Sequence, residues 1–409
     1  MQRKIEYLLT PSQAKNLIVK LYKKAYEEGT LPLDSFILIG APGIGKSETV
    51  KRIGEEIAEF LHREFIEFDL TIADKIYANP DKYFVYVDTR IYEHEPSDFS
   101  GIPRLVEVNA KSSRDYVTRF VPVDMAKVLA YCPGILALED ITNTERRDLR
   151  SVLFKVLLNY MMGYQKLNKL SLIIGTGNAP EHSALAHEFE APINTRVIYL
   201  YVKPPTVEEW IAYMDKVYPN ANKRVLAYVL LNKEEFMVPQ KEAYSLEPYP
   251  CPRSWTKLAV RLGEDPKSYL TDLEIKALCI GAVGVNVGVK VADFVLLNVP
   301  TIDEVAQNPS KLRHLREDVL YAFTVMFAQN VKKNKEMLIK REKGKLVLNE
   351  KYARILDTIL DISHELAIVF CYALGQKRFE IAMELYRLDP RFKKFIDLIN
   401  ELKTKYAYV

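Results

Sequence analysis

A glycine-rich motif does most to limit the folds that are open to this chain of 409 residues. Residues 40–47 read GAPGIGKS, which fits the pattern G-x-x-x-x-G-K-[ST], and they lie between an apolar run and a helical pattern. Glycines let backbone N–H groups turn inward around phosphate oxygens, and the following helix adds partial positive charge. The alternative is a tight turn without a ligand. We predict a loop that binds Mg·ATP, formed by Gly40, Ala41, Pro42, Gly43, Ile44, Gly45, Lys46, Ser47 and Glu48.

Short apolar runs alternate with helical patterns over the first two hundred residues, as in an α/β sheet with helices on its faces. Runs that are apolar on both faces, such as ILAL, suit a buried parallel sheet. The pattern changes after Pro204 and Pro205, which can continue neither a helix nor a central strand. We therefore predict an α/β domain over 1–203 and a helical region over 204–409. The predicted strands are 35–40, 83–88, 134–139, 170–175 and 196–202.

Helical patterns fill the region after the double proline. The stretch 331–345 is strongly basic, but glutamates interrupt it and no aromatic residue lies within it. It predicts a solvated helix end and turn rather than a nucleic-acid surface. The main predicted helices of this region are 207–217, 253–262, 272–281 and 352–374.

Within the loop, Lys46 would reach the β- and γ-phosphates, and the hydroxyl of Ser47 would take a magnesium site. Polar residues that end two of the predicted strands would complete this site. Glu139 and Asp140 end the third strand, where Glu139 would join Ser47 at the metal and Asp140 would be the general base. Asp140 is one methylene shorter than glutamate, so slow hydrolysis is an open possibility, as is a plain pair of loop acids. Asn178 can orient the attacking water, although asparagine before Ala-Pro is also a common turn residue.

Arg196 is a candidate for contact with the γ-phosphate of a neighbouring subunit, and Arg253 has a placement that suggests a use beyond structure. Arg196 stands where the fifth strand begins, and from there it can project across a subunit boundary. A solvated surface arginine is the alternative. Arg253 opens a helix of the second region, where a cation opposes the helix dipole and so hints at another use.

The composition limits the partners, the metal sites and the cellular compartment that we expect for the chain. Its formal charge of +3 is too small to indicate a nucleic-acid partner. Four scattered cysteines match neither a zinc site nor a redox pair, and the six histidines are equally dispersed. The sequence begins without the apolar core of a signal peptide, and no apolar run is long enough to span a membrane. We expect a cytoplasmic protein without a membrane partner.

Together these motifs resemble the AAA+ ATPases, and specifically the MoxR-like branch found in archaea, phages and viruses. GAPGIGKS and GILALEDITN resemble the Walker A and Walker B motifs of that family, the latter with a following Asn143. The run 175–197 resembles the segment from the sensor-1 asparagine, Asn178, to the arginine finger, Arg196. CPRSW at 251–255 resembles the sensor-2 segment with Arg253, and IGAVG at 280–284 the turn of the lid. The competing candidates near the subunit edge are Asn194, Arg146, Arg147 and Arg150.

The resemblance implies a P-loop αβα sandwich with a parallel five-stranded sheet of order 5-1-4-3-2, an all-α lid and a ring, usually a hexamer. Two alternating apolar runs between Gly101 and Pro122 predict a β-hairpin. In this family such a hairpin faces the central pore and grips a client; a hairpin that only packs on its own domain is the alternative. The implied client is a protein, in some cases one with a metal-dependent adhesion domain.

The sequence leaves three functions open. The favoured one is an ATPase that uses Mg·ATP hydrolysis to remodel a protein partner. The second is a nucleic-acid motor, which Lys111, Arg114 and Arg119 of the predicted hairpin would permit. The third is a nucleotide-gated switch that hydrolyses slowly because its acid pair, Glu139 then Asp140, is in inverted order.

Overall fold

The chain divides into two compact units, Met1–Pro204 and Pro205–Val409. The structure, a computed structural model, describes residues 8–110, 113–143, 146–178, 191–238, 247–342 and 344–406. Each unit has a hydrophobic core of its own. Among the described residues, every helix is too short or too polar to cross a lipid bilayer.

Strands and helices alternate through most of the first unit. Its strands are β1 (Phe36–Gly40), β2 (Glu64–Glu67), β3 (Tyr83–Arg90), β4 (Ile102–Ala110), β5 (Ser113–Val121), β6 (Gly134–Glu139), β7 (Met161–Met162), β8 (Gln165–Lys166), β9 (Leu172–Gly177) and β10 (Ile198–Val202). Its helices are α1 (Pro11–Glu28), α2 (Lys46–Phe60), α3 (Ala73–Ala78), α4 (Pro96–Ser100), α5 (Asp124–Tyr131), α6 (Arg147–Asn159) and α7 (Ala191–Asn194).

A six-stranded parallel sheet forms the centre of this unit, in the order β10-β1-β9-β6-β3-β2. The predicted fold, a P-loop αβα sandwich with strand order 5-1-4-3-2, is confirmed by the five strands β10, β1, β9, β6 and β3. Strand β2 was not predicted; it extends the sheet at one edge. Every residue of β1, β6 and β9 is buried, which is why these strands are apolar on both faces.

The parallel arrangement brings the carboxyl ends of the strands to one edge of the sheet. There β1 runs into the glycine-rich loop, β6 ends at Glu139 and β9 ends at Gly177. Helix α2 leaves the loop and packs its apolar face, with Val50, Ile53 and Ile57 fully buried. Crevices at this edge of open α/β sheets are where such folds bind ligands.

A β-hairpin departs from the sheet between β3 and β6. Strands β4 and β5 pair antiparallel from Ile102 opposite Val121 to Ala110 opposite Ser113, in a two-stranded sheet. Residues 111 and 112, at the turn between them, lie outside the described residues. Side chains on both faces are exposed, including Ile102 at 61% on one face and Leu105 at 71% and Tyr116 at 62% on the other. The base of the hairpin touches the domain, where the rings of Phe120 and Tyr164 lie 5.5 Å apart.

In its described residues, the second unit consists of helices and one short hairpin. It opens with a capped helix, because the Thr206 hydroxyl accepts from the N–H of Glu209 and the Glu209 side chain accepts from the N–H of Thr206. Its helices are α8 (Val207–Val217), α9 (Lys223–Leu231), α10 (Pro252–Leu262), α11 (Asp272–Val283), α12 (Val285–Leu296), α13 (Ile302–Gln307), α14 (Glu317–Lys333), α15 (Glu350–Ile362), α16 (His364–Leu374), α17 (Arg378–Leu388) and α18 (Lys393–Tyr406).

Two sequence predictions for this unit were wrong in detail. The segment predicted as a solvated helix end and turn enters an antiparallel hairpin of β11 (Ile339–Glu342) and β12 (Lys345–Leu348). The helix predicted over 352–374 is two helices, α15 and α16, because Ser363 is extended and accepts from the N–H of Leu366, which starts a new helix. Gly284, in the predicted lid turn, separates α11 from α12 with a positive φ of 84°.

All four cysteines are buried and free: Cys132, Cys251, Cys279 and Cys371. Burial raises the pKa of the Cys132 and Cys279 thiols to about 12. These thiols therefore stay protonated at neutral pH, and they act as small core residues.

Candidate functional site

The glycine-rich loop has the backbone that its sequence predicts. Gly43 and Gly45 have φ values of 77° and 97°, a region that favours glycine. Gly40 lies so close to β10 that a Cβ atom would stand 2.2 Å from the carbonyl oxygen of Val202. Helix α2 begins at Lys46, so the N–H groups of its first turn, which have no acceptor within the helix, lie at this loop. The combination makes a cradle for an anion.

Lys46 is buried in this cradle, with 8% of its surface exposed. Its Nζ donates to the carbonyl oxygens of Gly40, at 2.9 Å, and Ala41, at 2.8 Å. It also donates to Oδ1 of Asn178 at 3.1 Å. The loop lysine and the polar residue after β9, which are 132 positions apart, therefore meet in one site.

Glu139 is the buried acid of the site. Its Oε2 accepts from the hydroxyls of Ser47 and Thr176, both at 2.5 Å. Its Oε1 is buried and has no hydrogen-bond partner among the described residues. Burial raises the pKa of Glu139, the charges of Asp88 and Asp140 add to that effect, and the two hydroxyls oppose it. A buried carboxylate oxygen without a partner, beside a serine hydroxyl, fits the oxygen ligands that Mg²⁺ prefers.

Asp140 turns the chain sharply after β6. Its φ of 53° is left-handed, which is uncommon for a residue with a side chain but more frequent for aspartate. Its N–H donates to the Thr176 hydroxyl at 3.4 Å, and its carbonyl accepts from the N–H of Asn143 at 2.9 Å. Oδ1 of Asn143 is buried and has no hydrogen-bond partner in the described part of the chain. Half-buried Asp140 thus stands at the rim, beside the enclosed Glu139.

Two threonines connect the strand ends, and sequence reasoning gave them no role. Thr176 holds both acids, because its oxygen donates to Glu139 and accepts from the N–H of Asp140. The Thr142 hydroxyl accepts from the N–H of Asn178 at 3.0 Å. Gly177 makes room for Thr142, since a Cβ there would lie 2.5 Å from its Cγ2. Polar residues at the ends of buried strands were the available signal.

The remaining predicted residues are placed differently. Glu48, in the first turn of α2, accepts from Nε of Arg52 at 3.3 Å. Arg196 is exposed just before β10, and in the described part of the chain its guanidinium has neither a hydrogen bond nor an ion pair. Arg253 is exposed in the first turn of α10, in the second unit. The site of the first unit thus brings together the loop, Ser47, Glu139, Asp140 and Asn178.

The competing candidates for a subunit-edge role have partners within the chain where their side chains are described. Arg146 forms a bidentate pair with Glu95, both bonds at 2.7 Å, and it also pairs with Asp148. Arg150 is half-buried in α6. Oδ1 of Asn194 accepts from the Tyr199 hydroxyl at 2.7 Å. The side chain of Arg147 is outside the described part of the chain. Arg146 is therefore less available to a second subunit than Arg196.

No protein-family model matches the chain, and no curated protein matches it. Among solved structures, PCH-2 of C. elegans matches at 11% identity and a TM-score of 0.31, over 71% of this chain and 70% of that one. The Thermotoga maritima RuvB Holliday junction branch migration motor matches at 12% and 0.30, over 84% and 93%. Aeropyrum pernix ORC1 in complex with DNA matches at 14% and 0.32, over 93% and 84%. The strand order and the conformation of the glycine-rich loop are what show the P-loop αβα fold.

Proposed function

We propose that this chain is an AAA+ ATPase of the MoxR-like branch, which couples Mg·ATP binding and hydrolysis in an oligomeric ring to the remodelling of a protein partner. One observation carries the proposal: the adjacent loop residues Lys46 and Ser47 bond to the polar residues at the ends of two neighbouring strands. Lys46 donates to Asn178 after β9 and Ser47 donates to Glu139 of β6, at the carboxyl edge of a parallel sheet. The same edge carries a glycine-rich loop and a helix N-terminus, which together suit a triphosphate.

The residues of the site divide the work of phosphoryl transfer. Lys46 would bind the β- and γ-phosphates, and its hydrogen bonds to these phosphates would replace those to the loop carbonyl oxygens. Ser47 and Glu139 would hold magnesium. That ion, when bound, neutralises phosphate charge and helps to orient the phosphates. Asn178 would position the attacking water or the γ-phosphate, and Asp140 would accept the proton of the water.

Two arginines would complete the site. Arg196, which is exposed and without a partner in the described chain, would act on the nucleotide of a neighbouring subunit. Arg253 would have the sensor-2 role in nucleotide binding. An Arg253→Ala chain should therefore bind ATP more weakly, measured by titration calorimetry, and unchanged affinity would remove Arg253 from the site.

The β4–β5 hairpin would be the part that grips the client. It carries exposed apolar side chains on both faces, including Ile102 at 61%, Leu105 and Tyr116. Apolar groups exposed in this way mark surfaces that contact another protein. In a ring, repeated cycles of nucleotide binding and release would move these hairpins against the client.

Steady-state ATPase measurements test the assignment. We expect Asp140→Asn to bind ATP but to lower kcat by about 100-fold or more, because it removes the general base. An Asp140→Asn chain as active as the wild type would show that another group takes the proton. A wild-type chain that binds ATP tightly but never turns over would support the nucleotide-gated switch instead.

A nucleic-acid motor is the second candidate, and one observation favours it. Arg104 and Arg119 lie directly opposite each other on one face of the hairpin, and neither has an ion pair among the described residues. Like charges in this position repel each other unless an anion joins them. Tyr116 and Phe120, exposed on the other face, could stack on bases. ATPase activity that rises with single-stranded DNA and falls steeply with salt would favour this candidate over the protein remodeller.

A further inference from the structure

A cavity of about 360 Å³ lies inside the second unit, and none of the residues that line it is one that we assign to nucleotide chemistry. Four segments form its walls: the start of α9, the loop after α10, the loop after α12 and the end of α14. The volume is within the range of small-molecule sites. Its walls combine charged residues with an apolar side formed by Val295, Leu297 and Val299.

Arg224 is the fixed cation of this cavity. Its Nη1 donates to the carbonyl oxygens of Val295, at 2.7 Å, and Leu297, at 3.0 Å. Nε and Nη2 have no acceptor among the described residues. Burial lowers the pKa of Arg224, although the guanidinium remains charged at any pH where the protein is folded. The side chain is therefore held in place while part of its donor fork faces a cavity.

The other charged residues leave a positive balance. Glu264 lines the cavity but pairs with Lys332 at 2.8 Å, and Lys267 lies 3.7 Å from Asp272. Lys333 and Asp265 also line the cavity, and neither side chain has an ion pair in the described part of the chain. Among the described residues, Arg224 and Lys333 are thus cations of the cavity without an ion pair, and Asp265 is its one carboxylate without an ion pair.

We propose that this cavity binds a small phosphorylated molecule, with its phosphate on Arg224 and Lys333. Arginine offers a planar fork that a phosphate or a carboxylate can accept. A phosphate has further oxygens for a second cation on another helix, which favours phosphate over carboxylate here. Val295 and Val299 would pack against the apolar part of the molecule, and Asp265 could accept a hydroxyl or amino group. The proposal does not depend on ATP hydrolysis in the first unit.

Calorimetric titration with inorganic phosphate tests this site. The background is a full-length Lys46→Ala chain, in which phosphate binding at the glycine-rich loop is weakened; a wild-type chain saturated with Mg·ADP serves as a second background. We expect saturable phosphate binding in both. Lys333→Gln should weaken it at least about tenfold, because a hydrogen bond to a charged group is lost. Lys311→Gln, which removes an equally exposed lysine outside the cavity, should leave it unchanged.

Val299→Trp supplies an independent variant, because the larger side chain would fill the cavity without changing its charge. It should also abolish phosphate binding while the circular dichroism spectrum stays that of the parent. Equal phosphate affinity in the parent and Lys333→Gln chains would overturn the proposal, as would acetate binding as tightly as phosphate at matched ionic strength. Because neither Lys333 nor Val299 belongs to the first-unit site, failure here would leave the proposed ATPase untouched.

Discussion

Thr176 is a side chain on which both acids of the site depend. Its hydroxyl donates to Glu139 and accepts from the N–H of Asp140, so one oxygen positions the enclosed acid and the acid at the rim. We expect Thr176→Val to lower kcat by about tenfold or more, because loss of a hydrogen bond to a charged group costs about 1.5–3 kcal/mol. Steady-state ATPase assays measure the change.

Thr176→Ser is the matched control, since it keeps the hydroxyl and removes one methyl group. It should retain most of the activity, and its dependence on magnesium concentration should stay that of the wild type. If the valine chain is as active as the serine chain, Thr176 acts only as a packing residue in β9.

Glu139 gives the protein a pH-dependent stability. Because burial raises its folded pKa above the ordinary value of 4.5, the folded chain binds more protons than the unfolded chain between those two pKa values. Its contribution to stability therefore falls as pH rises through this window, and it is constant at higher pH. Glu139→Gln cannot titrate, so its melting temperature relative to the wild type should increase with pH and then level off.

Differential scanning calorimetry from pH 4 upward, in steps of about one unit, would measure this difference. Glu55→Gln, on the exposed face of α2, is the control and should show no comparable trend. A melting-temperature difference for Glu139→Gln that is flat across the range would mean that Glu139 titrates as an ordinary carboxyl group.

At the scale of elements, the β4–β5 hairpin has two alternative roles: it contacts a client, or it only packs on its own domain. Leu105 and Tyr116 lie on the same face and are largely exposed. If the hairpin serves a client, a Leu105→Ser/Tyr116→Ser chain should change stability by less than about 1 kcal/mol, since exposed substitutions contribute about 0.5 kcal/mol each. Urea unfolding measures this. Its basal ATPase should also stay unchanged, whereas any stimulation by the client is lost.

Leu273→Ser is a suitable control for that double variant, because Leu273 is 77% exposed in α11 of the second unit. It should alter neither stability nor client stimulation. A loss of several kcal/mol in the hairpin variant would instead indicate a hairpin that packs on its own domain.

The elements that the sequence could predict are those with a local signal. Apolar runs identified β1, β3, β6, β9 and β10. Strands β1, β6 and β9 are buried along their whole length, whereas β10 has an apolar sequence although it lies at an edge of the sheet. Strand β2, with the sequence EFIE, escaped because it lies at the sheet edge, where its glutamates reach solvent. The β11–β12 hairpin escaped for a similar reason: its charged residues look like a solvated helix end, and only its pairing reveals the strands.

The candidate site also has a part that the sequence could predict and a part that it could not. The loop motif and the strand-end acids each consist of consecutive residues, so a sequence pattern could identify them. The bond between Thr176 and Glu139 joins residues 37 apart, and that between Thr142 and Asn178 joins residues 36 apart. Such contacts exist only once the sheet order is fixed, and a sequence pattern does not contain that order.

At the scale of the whole molecule, the proposed site needs two subunits, and complementation can show this. A Lys46→Ala chain and an Arg196→Ala chain should each be nearly inactive. In a mixed ring, the loop of an Arg196→Ala subunit can face the intact Arg196 of a Lys46→Ala subunit, so mixing should restore part of the ATPase activity. The activity should rise with time as subunits exchange.

The control mixes Lys46→Ala with a Lys46→Ala/Arg196→Ala double variant, in which no subunit has an intact loop. That mixture should stay inactive. If Arg196→Ala alone assembles and hydrolyses ATP normally, another arginine acts as the finger, and Arg150 and Arg147 become the next candidates. An inactive mixture of the two single variants would argue for an arginine that acts within its own subunit.

The four buried cysteines have a practical consequence for labelling the β4–β5 hairpin. Thiol reagents react with exposed thiolates, and the raised pKa of Cys132 and Cys279 makes these two especially inert. A cysteine introduced at Tyr116, which is 62% exposed, would be the accessible thiol of an otherwise native chain. One dye or cross-linker could then be attached to the hairpin without first replacing the native cysteines, and its fluorescence would report hairpin movement directly during each turnover.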